Sequence, residues 1–174
     1  GVKVSKICLG TATFGVAPDA QEAGHVVHAA LDLGINFFDT ANVYGATPTF
    51  DRPGAPPATE REPAEQILGR ALVGRRDDVV IAPKSGKRRF DPAAGLSRRY
   101  IIHQVEHSLR RLGTDYIDLY YAHFPDPDTP LEQTLVVYDD LVRQGKLRYV
   151  ALSNHPAWQV TQALWIANDR HLAA

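Results

Sequence analysis

Polar and ionisable residues follow four of the apolar segments of this chain. If those segments are neighbouring parallel strands, their carboxyl ends meet at one face, which is where α/β folds bind ligands. Four consecutive units would then deliver chemically useful groups to a single site. In chain order the groups are Asp39 with Tyr44, then Lys84, then His123, then Ser153 with Asn154.

These residue types fit proton transfer to a carbonyl oxygen. Asp39 can hold the ammonium of Lys84, and a Lys⁺ beside Tyr44 is expected to lower the phenol pKa from about 10 towards neutrality. A phenol in that state is a general acid. A neutral His123 can donate a hydrogen bond to the same oxygen. With a hydride source opposite, the set predicts reduction of an aldehyde or ketone.

Each residue also has a purely structural explanation when it is taken alone. An isolated Asp after a strand commonly caps the next segment, and a Lys in a loop is commonly solvated. A Tyr or His at a rim can pack or bond to backbone, and a Ser-Asn pair before Pro156 can cap the following helix. The reductive chemistry is therefore indicated by the combination, not by any one member.

Other reaction classes fit the sequence less well. His25 and His28 lie three apart on a predicted helix without the Glu of an HExxH motif, and we predict no metal site. No GxSxG elbow is present for a serine hydrolase. Cys8 lies in the first apolar segment and is predicted to be a buried, small apolar residue.

Composition excludes several broad classes. The chain has 174 residues, a net charge of −1 and one cysteine. The charge balance argues against a nucleic-acid or anionic-membrane binder, and one cysteine cannot form a disulfide framework. No apolar run approaches the ~20 residues of a membrane span. We expect a cytoplasmic protein without nucleic-acid or membrane partners.

Hydrophobic periodicity predicts five strands, each followed by a helix. Asp19 with Glu22 is a candidate capping box, as is Thr129 with Glu132. The predicted strands cover residues 4–9, 35–39, 79–84, 116–122 and 149–153. The predicted helices begin near residues 19, 63, 97, 129 and 156, and irregular loops cover 46–63 and 84–96.

Near-continuous apolar strands that alternate with helices indicate a parallel α/β sheet. Two architectures remain open at this point, a doubly wound sheet of Rossmann or flavodoxin type and part of a (β/α)₈ barrel. The first strand–helix loop, residues 10–15, lacks the GxGxxG spacing of a dinucleotide-binding turn. This absence favours the barrel.

Several segments together resemble the aldo-keto reductase superfamily, in the style of bacterial members related to potassium-channel β-subunits. They are residues 6–11, 34–45, 66–72, 108–123 and 145–154. The resemblance covers nearly the whole chain and keeps the order and spacing of the family. It implies a TIM-type (β/α)₈ barrel, NADPH or less often NADH as cofactor, and small carbonyl substrates.

The resemblance also assigns roles to individual positions, with Tyr44 as the general acid. The implied catalytic residues are Asp39, Tyr44, Lys84 and His123. The implied cofactor-binding residues are Gly10, Thr11, Asp39, Ser153 and Asn154, and the implied substrate-binding residues are Phe14, Tyr44, His123 and Phe124.

The resemblance ends after about five βα units, so we expect residues 1–174 to form one partial barrel truncated at its C-terminal side. A complete barrel of this type usually needs ~250 residues. Unclosed sheet edges would favour self-association, and cofactor binding by the chain alone is expected to be weak. Two alternatives are a non-catalytic, cofactor-sensing or regulatory module on the same fold and a truncated, inactive product.

Overall fold

The structure is a computed structural model that describes residues 1–87 and 94–173. Predicted positions 88–93 of the loop 84–96 lie outside the described residues. The helices are α1 (Ala20–Asp32), α2 (Ala64–Ala71), α3 (Arg98–Leu112), α4 (Leu131–Arg143) and α5 (Ala157–Arg170). The strands are β1 (Leu9–Gly10), β2 (Phe37–Asp39), β3 (Val80–Ala82), β4 (Lys84–Ser85), β5 (Ile117–Ala122) and β6 (Leu147–Leu152).

The strands are parallel and follow one another in chain order. One sheet has the order β1-β2-β3 and the other β4-β5-β6. The predicted third strand is split into β3 and β4 at Pro83, which has no N–H to donate, and the Pro83 carbonyl accepts a bond from the Tyr121 N–H at 3.0 Å. A doubly wound sheet reverses its strand order at a switch point, and this order does not reverse. The architecture is therefore a run of βα units from a barrel.

The first strand is much shorter than predicted. Residues 4–8 do not join the sheet, because side chains take the bonds that a strand ladder would use. The Ser5 N–H donates to Asn36 Oδ1 at 2.7 Å, and the Asn36 N–H donates to Ser5 Oγ at 3.1 Å. Cys8 is exposed, so its assignment as a buried apolar residue is wrong.

One of the two predicted capping boxes is present. Asp19 accepts from the Glu22 N–H and Glu22 reaches back to the Asp19 N–H, which confirms the start of α1. The Thr129 box is wrong: Thr129 Oγ1 donates to Asp126 Oδ2 at 2.7 Å, and α4 has Pro130 at its N-cap without a side-chain bond. A carboxylate three residues upstream is the stronger partner for that hydroxyl.

The hydrophobic core lies between the strands and the surrounding helices. Phe38, Ile81 and Tyr120 are fully buried there, and the neighbouring strand residues alternate to the opposite face. Within the described ranges, none of the helices is both long and apolar enough to cross a bilayer.

A buried charged group ties three strands together near their amino-terminal ends. Asp118 on β5 accepts from Arg76 Nη2 at 2.7 Å, from Arg148 Nη1 at 3.1 Å and from the Ile81 N–H at 3.1 Å. The two guanidinium groups lie 4.0 and 3.8 Å from the ring centre of Tyr116. We call Arg76, Tyr116, Asp118 and Arg148 the Asp118 cluster.

The proline-rich loop 46–63 contains two short 3₁₀ turns, at Pro48–Phe50 and Ala58–Glu60. Its buried Arg61 closes it by donating to the Thr47 carbonyl at 2.8 Å and by pairing with Asp51. The loop therefore has more local structure than its composition predicts, because Arg61 links its two ends through a hydrogen bond and an ion pair.

Candidate active site

The register of the parallel strands brings Asp39, Lys84 and His123 to neighbouring strand ends. Asp39 pairs with Ala82 two residues before Lys84, and the His123 N–H donates to the Ser85 carbonyl at 2.8 Å. The ends of β2, β4 and β5 therefore meet at one face, as the sequence predicts.

The buried Lys84 forms an ion pair with Asp39, whose side chain is partly exposed. Its Nζ contacts Asp39 Oδ2 and also donates to the Thr40 carbonyl at 2.9 Å. Burial lowers the pKa of Lys84, and the hydrogen bond and charge of Asp39 oppose that shift. The pair fixes the ammonium between β2 and β4.

Tyr44 is held over this pair by the loop that follows it. The Tyr44 carbonyl accepts from the Ala64 N–H at 3.0 Å, which brings the far end of loop 46–63 back to the site. Gly45 adopts a positive φ of 81°, and a Cβ there would lie 2.8 Å from the backbone of Glu62 and Ala64. Only glycine fits at position 45, where φ is positive and the backbone of the loop end lies too close for a Cβ.

The Tyr44 ring lies beside both cationic and imidazole partners. Its centroid is 5.1 Å from Lys84 Nζ and 6.0 Å from the His123 ring, which it meets edge to face. Burial, with a further contribution from the Asp39 charge, raises the Tyr44 pKa to about 12. The expected lowering of the Tyr44 pKa is wrong, because burial of the phenol and the nearby Asp39 charge raise it instead. Tyr44 is therefore a protonated donor at neutral pH.

His123 is neutral at physiological pH. Burial and then the charges of Lys84 and Lys87 lower its pKa to about 4. Its Nδ1 is buried and has no hydrogen-bond partner among the residues that the structure describes. The Phe124 ring lies 5.0 Å away and packs against the imidazole. The site thus keeps an uncharged imidazole next to the phenol.

Ser153 and Asn154 lie at the end of β6, next to His123. The Ser153 N–H donates to the Ala122 carbonyl at 2.9 Å. Asn154 adopts a positive φ of 60°, and its Nδ2 donates to the His123 carbonyl at 2.8 Å and to Ser153 Oγ at 3.0 Å. In this arrangement Asn154 also fixes the backbone that carries His123.

The remaining predicted site residues divide into two groups. Gly10 pairs with Asp39 across β1 and β2, and the N–H and hydroxyl of buried Thr11 both donate to the Asp39 carbonyl at 3.0 Å. These two lie at the site and fix its backbone. Phe14 is 2% exposed and packs in the hydrophobic core, so in this structure it is a core residue that offers almost no surface to a substrate.

A model of the aldo/keto reductase family matches residues 6–173. The chain belongs to the aldo/keto reductase family. It is 37% identical to an uncharacterized oxidoreductase, YrpG, of Bacillus subtilis over 98% of its length, and 38% identical to a probable voltage-gated potassium channel subunit beta of Arabidopsis thaliana, also over 98%. It is 30% identical to an L-glyceraldehyde 3-phosphate reductase of Escherichia coli over 89%.

These matches confirm the family and its (β/α)₈ barrel. The chain spans about half the length of the curated relatives it matches, with 52% of the Bacillus protein and 48% of the Arabidopsis protein covered. The described residues contain five βα units of an aldo/keto reductase barrel.

Sequence reasoning missed two residues next to these strand ends. The Tyr121 ring centre lies 5.8 Å from Lys84 Nζ, and Tyr121 is the register partner of Lys84. Lys87 Nζ lies 5.4 Å from the Phe124 ring centre. Strand alternation could have revealed Tyr121, because it lies two residues before His123 and so shares its face. The position of Lys87 depends on a loop path that has no such periodicity.

Proposed function

We propose that this chain carries the carbonyl-reducing site of an NAD(P)H-dependent oxidoreductase. The observation that carries the proposal is the edge-to-face contact of Tyr44 with His123 beside the Asp39–Lys84 ion pair, where burial keeps the phenol protonated and the imidazole neutral. Both side chains can donate a hydrogen bond to the carbonyl oxygen of a substrate, and neither needs a change of protonation state at neutral pH.

The residues at the end of β6 fit the nicotinamide of a dinucleotide cofactor. Ser153 and the exposed Asn154 present a hydroxyl and an amide, the groups that a carboxamide needs, at the end of the strand next to His123. When bound, the nicotinamide supplies a hydride to the carbonyl carbon. We propose NADPH with NADH as the alternative donor.

The chain's own residues then manage the charge that develops on the substrate oxygen. Tyr44 Oη transfers its proton to that oxygen as the C–H bond forms, which yields the alcohol. His123 donates a hydrogen bond to the same oxygen and orients it. Lys84 stabilises the phenolate left on Tyr44, and Asp39 keeps the ammonium in place.

The proposed substrates are small aldehydes and ketones. The name of the Escherichia coli relative, a reductase of a phosphorylated aldehyde, supports this class. A cytoplasmic location without nucleic-acid partners belongs to the same proposal, supported by the net charge of −1 and the single free, exposed cysteine. The proposal also includes one partial barrel over residues 1–174. Copies of the chain would pair through open sheet edges, which is supported by the solvent-exposed residue Gly10 on the edge strand β1.

Replacement of the phenol tests the proposed chemistry. The Tyr44→Phe variant is expected to lose about 10²- to 10⁴-fold in the rate of NADPH-dependent carbonyl reduction. The rate is followed by nicotinamide absorbance over a panel of small aldehydes and ketones. Tyr149→Phe, which removes an exposed phenol from β6, is the matched control and should retain the wild-type rate. An unchanged rate in Tyr44→Phe would remove Tyr44 from its role.

A regulatory module is the second candidate, favoured by the 38% identity to the potassium channel subunit. On that hypothesis the same strand-end residues bind the cofactor without turnover. Nicotinamide fluorescence then changes on binding, while no carbonyl in the panel is reduced. Measurable reduction that depends on Tyr44 decides for the enzyme.

A further inference from the structure

Two histidines on α3 lie outside the strand-end site and face each other. His103 and His107 are four residues apart, and their Nε2 atoms are 3.0 Å from each other. Their ring centres are 4.1 Å apart with a tilt of 43°. The spacing of four places both side chains on the same exposed face of the helix. The two nitrogens are therefore already next to each other before any ligand binds.

The separation of the nitrogens fits a metal ion. A metal at the usual 2.0–2.1 Å from each Nε2 would be held at an N–metal–N angle of about 94°, given the 3.0 Å between them. This is the angle between adjacent positions of a square-planar or octahedral ion, and it is narrower than a tetrahedral ion prefers. We infer that His103 and His107 form a two-nitrogen chelating site for a divalent transition metal, with Cu²⁺ as the best fit.

The helix holds this pair in place. α3 begins at the Ser97 cap and ends at Gly113, which adopts the left-handed conformation, and Ile101 and Val105 anchor its opposite face in the core. Metal binding therefore needs little reordering of the backbone. The exposed position leaves the other coordination positions to water or to a small ligand.

Nearby positive charges act against a bound cation. The positive charges of Arg110 and Arg111 reach the His107 ring and oppose any bound cation. Arg111 is partly neutralised by its pairing with Glu65 at 2.7 Å. This repulsion acts alike on every divalent ion, so the choice among them follows imidazole affinity, which is highest for Cu²⁺, ahead of Ni²⁺ and Zn²⁺.

The probe is Cu²⁺–iminodiacetate, in which the chelator cancels the charge of the ion and leaves adjacent positions open. It is titrated into the folded chain in a Cys8→Ser background, because the exposed Cys8 thiol would reduce Cu²⁺. We expect one probe per chain and an electron paramagnetic resonance spectrum that shows two imidazole nitrogens coupled to the copper, in addition to the amine nitrogen of the chelator.

His103→Gln and His107→Gln should each weaken binding by about 100-fold, since either one turns a chelate into a single bond. Gln is a good helix former, and circular dichroism checks that α3 persists. His25→Gln is the matched control: His25 lies three residues from His28, whose Nε2 is engaged with the Ala71 carbonyl at 2.9 Å. Its affinity should equal that of the parent chain.

Three results would overturn the inference. They are binding unchanged in both α3 variants, binding lost in only one of them, and an equal loss in His25→Gln. Each of these would show adventitious coordination to scattered imidazoles and no chelate on α3.

Discussion

Two carboxylate–cation groups hold neighbouring strands together, one near the amino-terminal ends of the strands and one at their carboxyl ends. Asp118 lies near the amino-terminal ends, and its side chain is 3% exposed and accepts hydrogen bonds from two arginines and one backbone N–H. Asp39 lies at the carboxyl ends, and its side chain is 33% exposed and pairs with Lys84. The first carboxylate is saturated, whereas the second keeps an open side.

The polar groups around the Asp39–Lys84 pair are also less fully hydrogen-bonded than those around Asp118. Next to the Asp39–Lys84 pair, His123 Nδ1 and Thr40 Oγ1 are buried without a hydrogen-bond partner in the part of the chain that the structure describes. Such groups cost stability, and they persist where a ligand or a reaction uses them. The comparison teaches that one end of the barrel strands is saturated and maintains the fold, while the other keeps the open groups that the proposed chemistry needs.

The largest expected effect on stability is at the saturated end. Asp118→Ala leaves the largely buried Arg76 without its carboxylate, and we expect a loss of about 3–5 kcal/mol in the free energy of unfolding. Urea unfolding measures it. Asp78→Asn is the matched control, because the Arg75–Asp78 pair is about half exposed, and it should cost less than about 1 kcal/mol. Equal costs would erase the distinction between the two ends.

A smaller effect is expected from protonation at the open end. The pKa of His123 is about 4 in the folded chain and 6.5 without its surroundings, so only the unfolded chain gains this proton between those values. Stability should therefore fall as pH is lowered from 6.5 to 4, by about 2 kcal/mol from this residue. His123→Gln should flatten that part of the unfolding curve, and an unchanged slope would contradict the burial assigned to His123.

The smallest effect is expected from Lys84→Met. The change removes a buried ammonium whose desolvation offsets its pairing, and it leaves an Asp39 that water already reaches. The free energy of unfolding should change by less than about 1 kcal/mol, and Met fills a similar volume. Urea unfolding of this variant beside Arg76→Met sharpens the comparison. A loss in Lys84→Met as large as that of the arginine variant would mean that both pairs are structural.

Patterns of fixed period predicted the fold and the main site residues. The alternation of apolar runs with helices predicted the parallel units, and the strand-end rule found Asp39, Lys84 and His123. The same alternation applied within a strand would have found Tyr121. The spacing of His103 and His107 was equally readable as one face of a helix.

Features that depend on competition between partners could not be predicted. Thr129 has the right spacing for a cap, but its hydroxyl binds Asp126 instead. The Tyr44 pKa rises because the phenol is buried and lies near the Asp39 charge, and residue types do not reveal that burial. The burial of Phe14 and the exposure of Cys8 depend on how a short first strand meets the sheet.

The most direct test of the central claim compares carbonyl reduction in Lys84→Met and Arg76→Met under conditions where both are folded. The account predicts that Lys84→Met loses at least about 100-fold in the rate, because the Tyr44 phenolate is no longer stabilised. Arg76→Met should retain the wild-type rate per folded molecule. Retention of the rate in Lys84→Met, or an equal loss in both variants, would contradict the assignment of chemistry to the carboxyl ends of the strands.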